Sequence, residues 1–514
     1  MKKPLLILLA LVLLLLSVGC NSSKNASSPS GYSNGNSDSQ GEIYEIVMQY
    51  PTLGRTIQDL NLIEHALNAR TEPEIGVRIV FCPVNVYDLE SATDIMLSWG
   101  DKLDIVMCGL GTSLSGYVNN GKLIKLDDLV EKYGQSIVEA EGIAMSGGYF
   151  KGNLYALPTE EKMGRVRALY CRKDILDKYG IATISDKIYS LDDISEIFTE
   201  VRAGENEDFY CLATNINDEG FYSNFDIVDR LGSTFASGCL MNYGFGTDKI
   251  VNYYDTFEFE QACSTIREWN KKGFLNPGCD TSTEPCGMLM QSGKYFSFFN
   301  SAEPDMLASQ SRMLWGFVDS ELIPLYTTYP YRVSQSFRIS MWGITPSCTD
   351  PVKAMKWLDL LWRDKEIINL LSFGIEGLHY EFADGKGSVI RYPEGVNSAN
   401  ASYVSVLQVW GNKSKCYAMA PLDEEYYRAL DDFNRSILPI YTSGALGYCF
   451  DASPVYMKFA AVDDVIKRYE SGFKLGLLDL DTALPEFRAA LEEAGISEVI
   501  AENQRQFDAW KMGQ

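Results

Sequence analysis

The residues able to do chemistry are few in kind. Two histidines, His65 and His379, are all the chain of 514 residues contains, so multi-histidine metal sites beyond a pair are excluded and a Ser-His-Asp arrangement has only two starting points. Adjacent carboxylates at Glu160 and Glu161 could accept hydroxyl hydrogen bonds from a ligand, each worth about 1.5–3 kcal/mol because the acceptor is charged. Equally, they could be a solvated surface paired with Lys162 and Arg165. Trp410, in Val409-Trp410-Gly411-Asn412, is either a stacking platform or a core residue. Gly109 to Gly116, rich in Gly, Ser and Thr, is either a ligand-contacting loop or a plain turn. No Gly-rich phosphate loop followed by Lys-Ser/Thr occurs.

These residues must be positioned by alternating strands and helices. Ile43 to Met48 and Val77 to Phe81 read as strands, Leu60, Ile63 and Leu67 as one helix face, and Asp104 to Met107 as a third strand. That order predicts a parallel sheet flanked by helices, with the Gly109–Gly116 loop at a strand's carboxyl end, where open α/β sheets place ligands. The polar passage Thr159 to Arg165 suits a crossing between domains, and a second βα series runs to about residue 300. Asp350 and Pro351 read as the start of a helix with Met355, Leu358, Leu361 and Trp362 on its buried face. Leu484, Phe487 and Leu491 before Gly495 predict a helical C-terminal region.

Composition narrows the function. Hydrophobic residues make up 46%, enough for two or three packed domains, and 45 Lys plus Arg against 69 Asp plus Glu give a net charge of -24. That balance argues against a nucleic-acid partner. Lys2 and Lys3 precede an apolar run from Leu5 to Leu16, shorter than the roughly 20 residues of a membrane span and suited to a signal peptide. Leu16-Ser17-Val18-Gly19-Cys20 resembles a bacterial lipoprotein box, implying lipidation of Cys20, and polar residues 21–40 read as a flexible tether. Eleven cysteines then remain, an odd number without a CxxC pair; those in apolar stretches, Cys82, Cys108, Cys171 and Cys211, are expected as buried free thiols.

Several stretches together carry a family resemblance. They are Asp104-Ile105-Val106 with its loop, Gly121 to Leu129, Gly152 to Pro158 followed by Leu169 to Asp174, Pro351 to Leu358, and Asn369 to Tyr380 with its Glu376-Gly377-Leu378-His379-Tyr380 core. Through them the chain resembles a family 1 extracellular solute-binding lipoprotein of a bacterial ABC importer, carbohydrate-binding class, LipO-type branch. The resemblance implies a two-lobed periplasmic-binding-protein-like α/β fold (type II), each lobe a sheet flanked by helices, with a helical C-terminal region. It divides the chain into signal peptide 1–19, tether 20–40, lobe 1 at 41–162 and 341–390, and lobe 2 at 163–340 and 391–514. Hinge crossings are expected near Thr159 to Arg165, Arg338 to Gly343 and residues 385–400.

The resemblance also implies a non-enzymatic role without cofactor or metal: capture of an oligosaccharide or sugar derivative between the lobes, delivery to ABC permease subunits, and action as a monomer held to the outer face of the membrane by its lipid. Its layout places Tyr50, Thr52, Thr112, Ser113, Glu160, Glu161, Tyr222, Phe299, Asn300, Trp410 and Asn412 at the ligand. Sugar rings need flat apolar faces and fixed polar groups, and this set contains both. Maltodextrin-binding relatives carry an aromatic after the third strand where this chain has Cys108-Gly109-Leu110-Gly111, which argues against a long malto-oligosaccharide. His379 is expected as a hydrogen-bonded anchor. The competing readings are a surface glycoside hydrolase, with Glu160, Glu161 and Glu376 as its acids, and a binding protein for peptides or another non-sugar solute.

Overall fold

The computed structural model describes residues 42–513 apart from 55, 160–161, 218–227, 233, 305, 307–309, 311–313, 315–317, 384–386, 399, 406–408, 421 and 424. Ile43–Gln514 form one compact unit. The expectations for residues 1–40, Cys20 included, lie outside the described residues. Among the described residues no helix is long and apolar enough to cross a membrane.

Two sheets organise the unit. The first runs Val77–Asn85, Tyr44–Thr52, Ile105–Gly109, Ser340–Ile344, Leu157–Pro158, with the first three strands parallel and Ser340–Ile344 antiparallel to its neighbours. Its central strand Ile105–Gly109 is buried throughout, so it reads as a continuous apolar run. Leu60, Ile63 and Leu67 of the helix Leu60–Ile75 pack on this sheet. So does the helix Pro351–Arg363, capped by the Asp350 carboxylate, which accepts from Lys353 N at 3.0 Å. The second sheet runs Leu322–Tyr326, Arg167–Arg172, Tyr295–Ser301, Tyr210–Leu212.

The chain leaves the first sheet after Pro158 and enters the second at Arg167; it returns between Tyr326 and Ser340. The third passage falls later than expected. Tyr403, Val409 and Trp410 fill the first sheet's core, and the strand Ala418–Met419 pairs with Val389–Arg391. Tyr403, Val409 and Trp410 thus pack in the core of the first sheet, whereas the expectation places residues from 391 onward in lobe 2. The passage runs through the helix Glu425–Ser436 to residue 443 instead of lying at 385–400.

Beyond it, Tyr456–Lys474, Leu480–Ala494 and Ile496–Met512 form a helical module. Gly495, at φ 98°, ends the second of these helices in the left-handed conformation. Leu484, Phe487 and Leu491 pack with Phe259, Ile266 and Trp269 in the core of the second lobe.

Candidate functional site

Parallel strands of the first sheet end together at Thr52, Asn85 and Gly109, and the passages after Pro158 and before Ser340 leave from this same edge. Ser340 pairs with Gly109, and Thr159 N donates to the Ser340 carbonyl at 3.1 Å. The second sheet presents the matching edge, where Ser301 opposes Arg167 and Tyr326 opposes Ala168. Between these edges the three passages hydrogen-bond to one another. Arg165 and Tyr331 exchange two N–H···O bonds of 2.8 Å, Arg332 N donates to the Tyr441 carbonyl at 2.8 Å, and Ser443 N donates to the Arg332 carbonyl at 2.8 Å. A hydrogen-bonded waist thus joins the two bodies near the strand ends of both sheets.

Two charged residues brace this waist. Arg338 donates from Nε to the Gly147 carbonyl of the first lobe (3.0 Å) and from Nη1 to the Ser334 carbonyl in the passage (3.3 Å) and the Tyr448 carbonyl beyond it (2.6 Å). Asp229, fully buried, accepts from Ser334 N (3.0 Å), Ser334 Oγ (2.7 Å) and Ser443 Oγ. Burial pushes its carboxyl up to about 6, against the lowering effect of the serine hydrogen bonds and of Arg338. Sequence reasoning named neither residue as functional; a charge inside a crossing segment was the only signal for Arg338, and Asp229 had none.

The expected ligand residues divide by environment. Tyr50 and Trp410 are each 1% exposed, with ring centroids 5.3 Å apart; Trp410 Nε1 donates to Ser405 Oγ (2.9 Å) and Tyr50 OH to Tyr403 OH (3.0 Å). Both therefore stand in the first lobe's core, where no ring face is open. Phe299 is likewise buried in the second lobe's core.

Thr52 sits at its strand end, nearly buried. Thr112 Oγ1 accepts from Gly109 N (2.9 Å) and donates to the Gly109 carbonyl (3.0 Å), closing its own loop, while Ser113 caps the helix Leu114–Asn119 through Gly116 N. Half-buried Asn300 accepts from Ser301 N (2.8 Å) at the second sheet's edge. Asn412 accepts from Ser414 N (3.0 Å) and lines a 460 Å³ cavity beside Met163 and Asn434. Lys413 next to it reaches the Thr159 carbonyl at 3.2 Å. Glu160, Glu161 and Tyr222 lie outside the described residues.

Glu376 is exposed. His379, 2% exposed, accepts at Nδ1 from Ile375 N (2.9 Å) and so carries its proton on Nε2, 3.2 Å from the Asp59 carboxylate. It ties its loop to the start of the Leu60–Ile75 helix. Hydrogen bonds from Ser402 and then His379 hold the Asp59 carboxyl below the usual range. Among the described residues no group of three or more His, Cys, Asp or Glu could hold a metal ion.

Solved structures share this arrangement nearly end to end. The N-glycan transport solute-binding protein NgtS of Streptococcus pneumoniae superposes with a TM-score of 0.75 at 20% identity, covering 91% of this chain and 98% of that one. This is the fold of a two-lobed solute-binding protein. The same solute-binding fold appears in the alginate-binding protein AlgQ2, with a TM-score of 0.62, 16% identity and 91% and 98% of the two chains covered. In sequence, the chain is 22% identical over 459 residues to a protein of Streptococcus pneumoniae serotype 4 named carbohydrate ABC transporter substrate-binding protein, spanning 87% of this chain and 88% of that one. Residues 444–512 match a family described as a domain of unknown function, DUF3502; they begin just past the waist and include the helical module of this solute-binding fold.

Proposed function

We propose that this chain is the substrate-binding component of an ABC importer, capturing an oligosaccharide between its two lobes and presenting it to permease subunits. The observation that carries the reading is the waist: three passages bonded to one another at Arg165–Tyr331 and Arg332–Thr442, near the strand ends of both sheets. A ligand touching both edges favours the closed arrangement by its differential contacts, which is how occupancy becomes a shape a permease can read. Support for a saccharide comes from NgtS, whose structures include complexes with Man1GlcNAc and Man5GlcNAc, and from the name of the pneumococcal relative.

In this reading Thr52, Thr112, Ser113, Asn300 and Asn412 serve the ligand, and Glu160, Glu161 and Tyr222 are candidates for the same role by sequence. Tyr50, Phe299 and Trp410 shape the cleft from behind. The protein works as a monomer on the outer face of the membrane, held by a lipid on Cys20 through the 20–40 tether.

A thermal-shift screen of residues 43–514 against mono- and oligosaccharides, with amino acids and short peptides as controls, tests the proposal. Ligand at 100 times its Kd adds about 2.7 kcal/mol to stability. One saccharide class raising the melt and being recovered unaltered is the expected result; a response confined to peptides, or a cleaved sugar, overturns it.

A further inference from the structure

A cavity of 900 Å³ opens between the first lobe, at Gly142 to Gly152, and the C-terminal module, at Leu446 to Pro454 and Arg505 to Gly513. None of the expected cleft residues lines it, and its far wall belongs to the matched domain of unknown function. The volume is in the range that holds a small ligand, and the walls are mainly apolar. Tyr149 and Trp510 supply the open aromatic surface, with Trp510 stacked on Phe507 at 5.7 Å and tilted against Tyr448 at 5.6 Å, while Phe150 and Tyr448 lie buried behind them.

The charges around the cavity are already neutralised. Lys151 bonds the Asp451 carboxylate at 2.8 Å, and Arg505 pairs with Glu502 at 2.6 Å. Three neutral polar groups are uncommitted: the buried Ser146 hydroxyl has no hydrogen-bond partner, and neither the Tyr149 hydroxyl nor the Trp510 indole N–H bonds a described residue. A neutral molecule with an apolar face and several hydroxyls fits this combination, since flat rings cover its C–H face and isolated donors and acceptors meet its hydroxyls. An anion or cation finds no unpaired counter-charge.

We propose that this cavity is a second saccharide site, holding one or two sugar rings between the first lobe and the C-terminal module. The proposal rests on the carbohydrate reading above. Its walls come from lobe 1 on one side and from helices packed on lobe 2 on the other, joined across the rim by Asn119 Nδ2 donating to Asp451 Oδ1 at 2.8 Å. A ring seated here touches both bodies, so its binding is linked to their relative arrangement.

Calorimetric titration of the full chain with chitobiose, mannobiose, lactose and cellobiose tests this, comparing wild type with Ser146→Leu, which fills the cavity, and Trp510→Ala, which removes its aromatic wall. At least one disaccharide is expected to bind wild type with two equivalents. In both variants one equivalent should weaken about tenfold, about 1.4 kcal/mol, while the other survives and reports an intact fold. A single equivalent in wild type, or two equivalents unaffected by either variant, overturns the second site and leaves the cleft reading standing. Absence of binding by every disaccharide and by the oligosaccharides of the melt screen overturns both.

Discussion

Trp410 stacks on Trp342 with ring centroids 5.4 Å apart and planes 20° from parallel, and Trp342 Nε1 donates to the Val409 carbonyl at 2.8 Å. Through this pair a segment 68 residues further along the chain completes the core under the sheet strand Ser340–Ile344. Truncation at Trp410 therefore opens a large cavity in the first lobe. Trp410→Ala is expected to lower stability by about 3–5 kcal/mol, measured by denaturant unfolding, with Trp410→Phe losing less. A change under 1 kcal/mol, about the range of surface substitutions, would place the residue outside the core.

Arg338 holds three carbonyls from three parts of the chain, at Gly147, Ser334 and Tyr448. Arg338→Met keeps much of the side-chain bulk and removes all three donors. The expected cost is about 1–3 kcal/mol, with faster amide exchange around residues 147 and 448. Unchanged exchange there would show that the brace contributes nothing to the waist.

Asp229 gives the waist a pH dependence whose sign follows from burial. Its carboxyl is raised from 3.8 to about 6, so between those values the folded chain keeps a proton that the unfolded chain has released. Stability from this group is present below the lower value and is lost as pH rises through about 6. The melting temperature of wild type relative to Asp229→Asn should fall as pH is raised through this window. Parallel curves for the two proteins would contradict the assignment.

Two glycines in one loop separate a steric effect from a backbone one. Gly109, at φ 99°, lies so close to the Ile339 and Arg338 carbonyls that a Cβ would collide with both, whereas Gly111, at φ 97°, faces open space. Gly111→Ala is expected to cost about 1 kcal/mol for its dihedral. Gly109→Ala should cost clearly more, since the crossing segment must shift as well. Equal losses in urea unfolding would mean that the crossing yields freely.

All eleven cysteines from Cys82 to Cys449 are free thiols in the structure. Burial pushes Cys108 and Cys211 up to about 12, so their thiolates are scarce at neutral pH. Ellman titration of residues 43–514 should release eleven thiols in denaturant. In the native protein the fast reactions should be confined to the partly exposed Cys82, Cys286, Cys416 and Cys449.

Local patterning made much of this fold legible. Spacing at Leu60, Ile63 and Leu67, the cap at Asp350-Pro351 and the stop at Gly495 depend on neighbours within a few residues, and each stands where those neighbours put it.

What only the tertiary structure decided are contacts between residues distant in sequence. Trp410 and Tyr50 carry the residue types of a sugar platform, yet the fold brings them together across 359 intervening residues in a core, where their faces are covered. Asp229 joins Ser334 to Ser443 and Arg338 joins Gly147 to Tyr448 across spans that no periodicity records. Sequence determines which side chains are able to meet a ligand, but burial determines which of them are left open to one, and burial is a property of the whole folded chain.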